Sequence, residues 1–150
     1  MRKLSLLIIF LFFIIGCGKK ADRVIPVDKP SPVEESQLIT TDSGLQYADL
    51  QDGQGEPAMK GDLVAVHYTG WLTNGKRFDS SIPRNKPIEF RLGQGRVIPG
   101  WEEGILNMKV GGVRQLRIPP ELAYGEQGFA GVIPPNATLV FEVKLVDIKK

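Results

Sequence analysis

The stretch TLVFEVKLVDI near the C-terminus constrains the fold more than any other. Leu139, Phe141, Val143 and Leu145 fall on one face of an extended chain while Glu142 and Lys144 point away. A period of two sustained this long describes a strand with one apolar and one wet face, and it is incompatible with an amphipathic helix. The same alternation recurs in DLVAVHYTGW, where Val64, Val66 and Tyr68 alternate with Leu63, Ala65, His67 and Thr69. It recurs again in PIEFRLG and in VRQLRIPP. Glycine and proline, 17 and 11 of 150 residues, punctuate these runs into short strands. Strands wet on one face belong to antiparallel sheets. One stretch alone changes to a helical period: Trp101, Ile105 and Met108 fall at i, i+4 and i+7, with Glu102 and Glu103 in the first turn, Lys109 in the last and Gly111 beyond. The expected fold is α+β: a twisted antiparallel half-sheet of about five strands wrapped around one short helix.

The rest of the chain divides by composition. Residues 1–20, MRKLSLLIIFLFFIIGCGKK, open with a basic pair and continue with an apolar run over residues 6–15. That run is too short to span a bilayer, which needs roughly 20 apolar residues, and it suits a signal-peptide core. IIGC resembles a bacterial lipobox, so residues 1–16 read as a lipoprotein signal peptide and Cys17 as the lipidated residue. An acylated anchor of this kind is lasting. Gly18, rather than an aspartate, follows the cysteine and favours the outer membrane in a cell that has one. The expected location is the bacterial cell envelope. Residues 17–41, with Pro26, Pro30 and Pro32 and no periodicity, read as a flexible tether holding residues 42–150 several tens of ångströms from the lipid.

Charge and cysteine count remove whole classes of function. Of 19 basic and 17 acidic residues, Arg2 and Lys3 leave with the signal peptide, so the mature chain is balanced and carries no electrostatic case for nucleic acid. One cysteine permits no internal disulfide, and one histidine beside it cannot assemble a zinc site. No cofactor is implied. The G-x-G pairs in GQGEPAMKGD and LGQGRVIPG lack the further glycine or GK[ST] of a phosphate loop and read as turns. Asn136 opens an NAT sequon, which has no use in a bacterial host.

Four blocks in order, VHYTGWLTNGKRFDSS, VIPGWEEGI, AYGEQGFAGVIPPNAT and TLVFEV, resemble the FKBP-type peptidyl-prolyl cis/trans isomerases, the macrolide-binding immunophilins. The resemblance spans roughly residues 42–150. It implies a pocket between sheet and helix whose floor is Trp101 and whose walls are Tyr68, Phe78, Phe90, Val97, Ile98 and Phe141. It further implies that Ile98 presents a backbone N–H to a substrate carbonyl, that the Tyr124 hydroxyl bonds substrate backbone, that Asp79 orients Tyr68 or meets the carbonyl region, and that Ile133 overhangs the rim. Tyr68, Asp79, Trp101 and Tyr124 are the catalytic set and the others bind substrate. Read without the resemblance, Trp101 and Phe141 are plain core residues and His67 is a structural histidine.

The implied chemistry needs no nucleophile. An X–Pro bond prefers trans by only about 0.5–1 kcal/mol, yet rotation crosses about 18–20 kcal/mol because it breaks amide resonance. A dry pocket that grips the ring and accepts the less polar twisted amide lowers that barrier. The partners implied are proline-containing polypeptides, macrolide ligands and, through the anchor, a membrane. The chain departs from the family pattern at Ile88, Arg96 and Phe129, where an aromatic, an acidic residue or glutamine, and a histidine are frequent. It carries no helical arm of the kind that pairs the macrophage infectivity potentiators, so a monomer is expected. The alternative reading is a tethered chaperone or binding module with the same fold and little turnover.

Overall fold

The computed structural model describes residues 21–150. The signal peptide of residues 1–16 and the lipidated Cys17 lie outside the described residues. Seven strands form one sheet with every pairing antiparallel: β1 (Ile39–Thr40), β2 (Gln46–Gln51), β3 (Leu63–Leu72), β4 (Arg77–Ser80), β5 (Ile88–Arg91), β6 (Val113–Ile118) and β7 (Leu139–Lys149). The order is β1-β2-β6-β7-β3, and β4 and β5 share the far edge of β3. The four strands legible as alternating runs make up β3, β5, β6 and β7, with the long pair β3 and β7 at the centre.

Among the described residues the sheet curls around one α-helix, α1 (Pro99–Gly104). Val64, Val66, Leu116, Ile118, Leu139, Val143 and Leu145 are fully buried on its inner face, where they meet Trp101, Ile105 and Met108. Helix and sheet meet closely because Gly100 and Gly104, one turn apart, carry no side chain. A Cβ on Gly100 would lie 2.4 Å from Ile118 and one on Gly104 2.7 Å from Leu116. Arg114 holds the far end of the helix, donating from Nη1 to the Gly104 carbonyl at 2.9 Å while pairing with Asp49 at 2.6 Å and lying over the Tyr47 ring.

Two expectations change here. The helix begins at Pro99, a residue suited to a first turn, and stops at Gly104 instead of running through Met108. The cause is competition for backbone groups: Asn107 takes a left-handed conformation (φ 65°), its N–H donates to the Ala58 carbonyl, and the Met108 carbonyl accepts from Ala58. Ile105 and Met108 keep their inward positions without a helix beneath them.

The second change concerns the tether. Residues 21–37 are a strap across the outer face of the sheet, held by specific bonds. Asp22 pairs with Lys144 at 2.7 Å, Arg23 N–H donates to Gln51, Arg77 donates to the Val27 carbonyl, and the Ser31 N–H donates to the Glu142 carboxylate at 2.5 Å. Gln115 donates to the Ser31 carbonyl, Glu35 pairs with Arg117, and the chain then enters the sheet as β1. Ile25 is 2% exposed. The prolines favour extension, as read, but the extended chain lies along buried polar groups that need partners rather than in solvent.

Candidate active site

The site begins with an irregularity in a hairpin. β3 and β4 pair Gly70 with Asp79 and then Trp71 with Arg77, so Phe78 is an extra residue in a β-bulge. Consecutive residues of a regular strand face opposite ways, but here Phe78 and Asp79 both reach one cavity. Gly70, opposite the bulge, leaves room for two rings: a Cβ there would sit 2.6 Å from both Phe78 and Phe141. Those rings meet edge to face at 5.4 Å.

Phe141 in turn stands edge-on to Trp101 at 5.4 Å, and Tyr68 does so at 5.0 Å. Trp101, at the first turn of α1, is 4% exposed and forms the floor. Its indole N–H is buried with no hydrogen-bond partner among the described residues, so the floor offers an occupant ring carbons rather than an exposed donor. Val97, Ile98 and Tyr124 complete a cavity of about 280 Å³, with Ile88 and Arg96 at its mouth. Pro99 makes Ile98 the N-cap in an extended conformation (φ −58°, ψ 148°). Its carbonyl accepts from Trp101 N–H at 2.9 Å, while its own N–H has no acceptor among the described residues. The loop before it is tied down by Glu102, whose carboxylate accepts from the N–H groups of Gly93 and Gly95. That G-x-G turn therefore has its donors already engaged.

One polar network enters this apolar space. The Tyr68 hydroxyl donates to Asp79 Oδ2 at 2.5 Å, and Arg84 donates to both Asp79 Oδ1 (3.1 Å) and the Tyr68 oxygen (3.2 Å). Burial, then the bond to Asp79, pushes the Tyr68 hydroxyl up to about 12, so it is a neutral donor at any physiological pH. Burial raises Asp79, but the bonds from Tyr68, Arg84 and the Ser80 N–H outweigh it and hold the carboxyl below its ordinary value. Burial, then the charge of Asp79, raises Tyr124. Behind the network, Ser81 Oγ accepts from Tyr68 N–H at 2.8 Å and meets His67 Nδ1 at 2.9 Å. His67 thus has a structural partner and faces away from the cavity, and burial lowers its pKa.

The cavity brings together Tyr68, Phe78, Asp79 and Val97 with Ile98, Trp101, Tyr124 and Phe141. It does not include Phe90 or Ile133. Phe90 is 6% exposed and packs behind Trp101 at 5.9 Å, supporting the floor rather than forming a wall. Ile133, expected over the rim, points into the core at 6% exposure because its N–H and carbonyl both pair with Phe129 and turn the loop inward. Phe129 takes the outer position instead, 56% exposed and 5.6 Å from Tyr124. Arg84 and Gly70 escaped the sequence reading. The motif RFDSSIPR places Arg84 five residues after Asp79, but only the turn over residues 81–85 brings it back.

The sequence pattern of the FKBP-type peptidyl-prolyl cis-trans isomerases matches residues 54–146. The chain belongs to that family. Its FKBP domain is 55% identical over 105 residues to an FK506-binding protein of Neisseria meningitidis serogroup B, an alignment covering 70% of this chain and 96% of the relative. FK506-binding protein 2 of Candida glabrata is 44% identical over 152 residues, covering 100% of this chain and 98% of that one. The crystal structure of AtFKBP13 matches with a TM-score of 0.70 at 44% identity, over 75% of this chain and 98% of the other. That of FkpA from Escherichia coli matches with a TM-score of 0.71 at 50% identity, over 77% of this chain and 53% of the other. The FKBP fold, an open antiparallel sheet with one short helix, and peptidyl-prolyl cis/trans isomerase activity accompany that membership.

Proposed function

We propose that this isomerase turns X–Pro bonds of envelope or secreted proteins by desolvating and twisting the amide in the Trp101 cavity, as a lipid-anchored monomer. The observation that carries the mechanism is an apolar, aromatic-walled cavity lined in part by Ile98, whose N–H has no acceptor among the described residues. The proline ring rests on the Trp101 ring, with the edges of Phe78 and Phe141 beside it. The Ile98 N–H takes a substrate carbonyl and the Tyr124 hydroxyl a second backbone group, which fixes one side of the bond while the other rotates. As conjugation is lost, the amide sheds charge separation, and a dry wall of ring carbons favours that state over the planar one. Tyr68, neutral and held by Asp79 and Arg84, keeps its hydroxyl at the cavity wall without a free charge. FK506-like macrolides, which relatives of this chain are named for binding, suit the same apolar cavity.

Isomerisation measured by a protease-free assay on the chain, with and without macrolide, tests the reading. Turnover lowered more than about tenfold by Trp101→Ala and blocked by macrolide is expected. Client binding without turnover would favour the chaperone alternative. Anchoring rests on IIGC and is tested by Cys17→Ser, which should abolish palmitate labelling and detergent-phase partitioning while leaving turnover intact.

A further inference from the structure

The pocket accounts for one face of the sheet and leaves the other unexplained. On β3, Tyr68 and Gly70 face the cavity, so Thr69 and Trp71 face outward. On β6 and β7, Gln115 and Glu142 lie opposite the inward Leu116 and Phe141. All four outward residues are nearly inaccessible: Thr69, Trp71 and Glu142 at 0% and Gln115 at 2%. An outer face with a buried carboxylate needs a cover, and the strap of residues 21–37 supplies one. It engages Glu142 Oε1 through the Ser31 N–H and Gln115 through the Ser31 carbonyl, while Glu142 Oε2 stays buried with no partner among the described residues, and it buries Ile25 while Val24 beside it points out at 78% exposure.

We infer that residues 21–37 are a clasp that docks the domain against the lipid surface by its strapped outer face, with the isomerase pocket directed away from the bilayer. The inference rests on the proposed anchoring at Cys17. Five residue steps separate Cys17 from Asp22, whose carboxylate is fixed to Lys144. At up to about 3.6 Å a step, the clasp leaves at most about 18 Å of reach. A domain of this size is about 30 Å across, so with that reach it cannot turn its far side to the membrane. Released, the chain from Cys17 to residue 37 would be a coil of about 25 Å, and every orientation would be open. Val24, the most exposed large apolar side chain among the described residues, is seven positions from Cys17 and on the outer face of the clasp, where it can enter the headgroup region.

The test imposes attachment chemically, so it does not depend on native lipidation. The chain from Cys17 onward contains every described residue, and Cys17 is its only thiol. It is coupled through that thiol to phosphatidylcholine vesicles carrying a maleimide lipid. A dye is introduced by cycloaddition on an azide-bearing amino acid replacing either Arg77, on the strapped side and distant in sequence from the anchor, or Phe129, with acceptor dye in the headgroups. Transfer from position 77 is expected to exceed that from position 129 by at least about twofold, given a domain of this thickness. Ile25→Asp, which loosens the clasp outside the main core, should collapse the difference while circular dichroism and turnover stay native-like. Ser31→Pro, which removes the N–H given to Glu142, should do the same and guards against a folding defect in the first variant. Equal transfer from the two positions in the unmodified clasp, or a difference that survives both substitutions, would overturn the inference. Loss of palmitate labelling in the native protein would instead fail only the anchoring reading.

Discussion

The two faces of the central sheet bury comparable side chains by opposite means. Inward, Phe141 and Tyr68 are covered by other rings and by a helix, and a cavity is left between them. Outward, Glu142, next to Phe141 on β7, and its β6 partner Gln115 are covered by a strap whose backbone supplies hydrogen bonds. Apolar cover needs shape and can leave a void for a ligand; polar cover needs partners and leaves none. The same strands thus carry a site that binds and a surface that is already bound.

The sharpest way to break this contrast is Trp101→Ala. It should lower kcat/KM by more than about tenfold, over about 1.4 kcal/mol of transition-state stabilisation, with native-like far-UV circular dichroism. Equal activity in the folded variant would remove the floor from the site. Phe141→Ala should damage both activity and fold, since truncating a buried phenylalanine costs about 3–5 kcal/mol.

Next in size is substrate choice. With Ile88 at the mouth and Phe129 beside Tyr124, Leu-Pro peptides should exceed Glu-Pro by roughly tenfold in kcat/KM, because partial burial of a carboxylate costs about 1–3 kcal/mol and exposed Arg96 returns at most about 1. Glu-Pro turned over as fast at low and high salt would mean that Arg96 governs the rim. Gly70→Ala follows: the added methyl meets the Phe78 and Phe141 rings, so a loss of about fivefold in kcat/KM is expected from ring displacement, with about 1–3 kcal/mol of stability.

Titration separates the faces more gently. Tyr68 should ionise near pH 12 in an ultraviolet absorbance titration. Its raised value contributes stability that is complete below pH 10 and is lost between about 10 and 12. Asp79, lowered, contributes stability present above its ordinary value of 3.8 and lost as pH falls beneath it. Asp79→Asn, which removes a bond and a charge that raise Tyr68, should therefore bring its ionisation down. Smallest is Ile25→Asp, which loosens the strap on the far face: turnover should stay within about twofold while the melting temperature falls by several degrees. A large loss of turnover would show that the two faces are energetically one.

The sheet and the floor were legible because alternation and ring placement are local signals. Leu139 to Leu145 announce β7, and Trp101 after Pro99 and Gly100 announces the start of α1. The errors come from backbone competition that no pattern encodes. Ala58, fifty residues away in sequence, ends the helix by bonding Asn107 and Met108. Residues 21–37 read as linker because their prolines and mixed charge are also a linker's composition, and their partners, Gln51, Gln115 and Glu142, lie far along the chain. Ile133 and Phe129 exchange roles through one hydrogen-bonded turn. Arg84 was hidden for the same reason: charge on a loop carries no address.

The bulge at Phe78 works as a phase shift. A strand keeps time in twos, and one inserted residue moves every later position by half a period relative to its partner. An oily ring and an ionised carboxylate, adjacent in sequence, consequently serve the same chamber. The hairpin is therefore more sensitive to length than to spelling: deleting one residue between 73 and 78 would restore a regular ladder and turn either the ring or the carboxylate out of the chamber, with the composition of the loop almost unchanged.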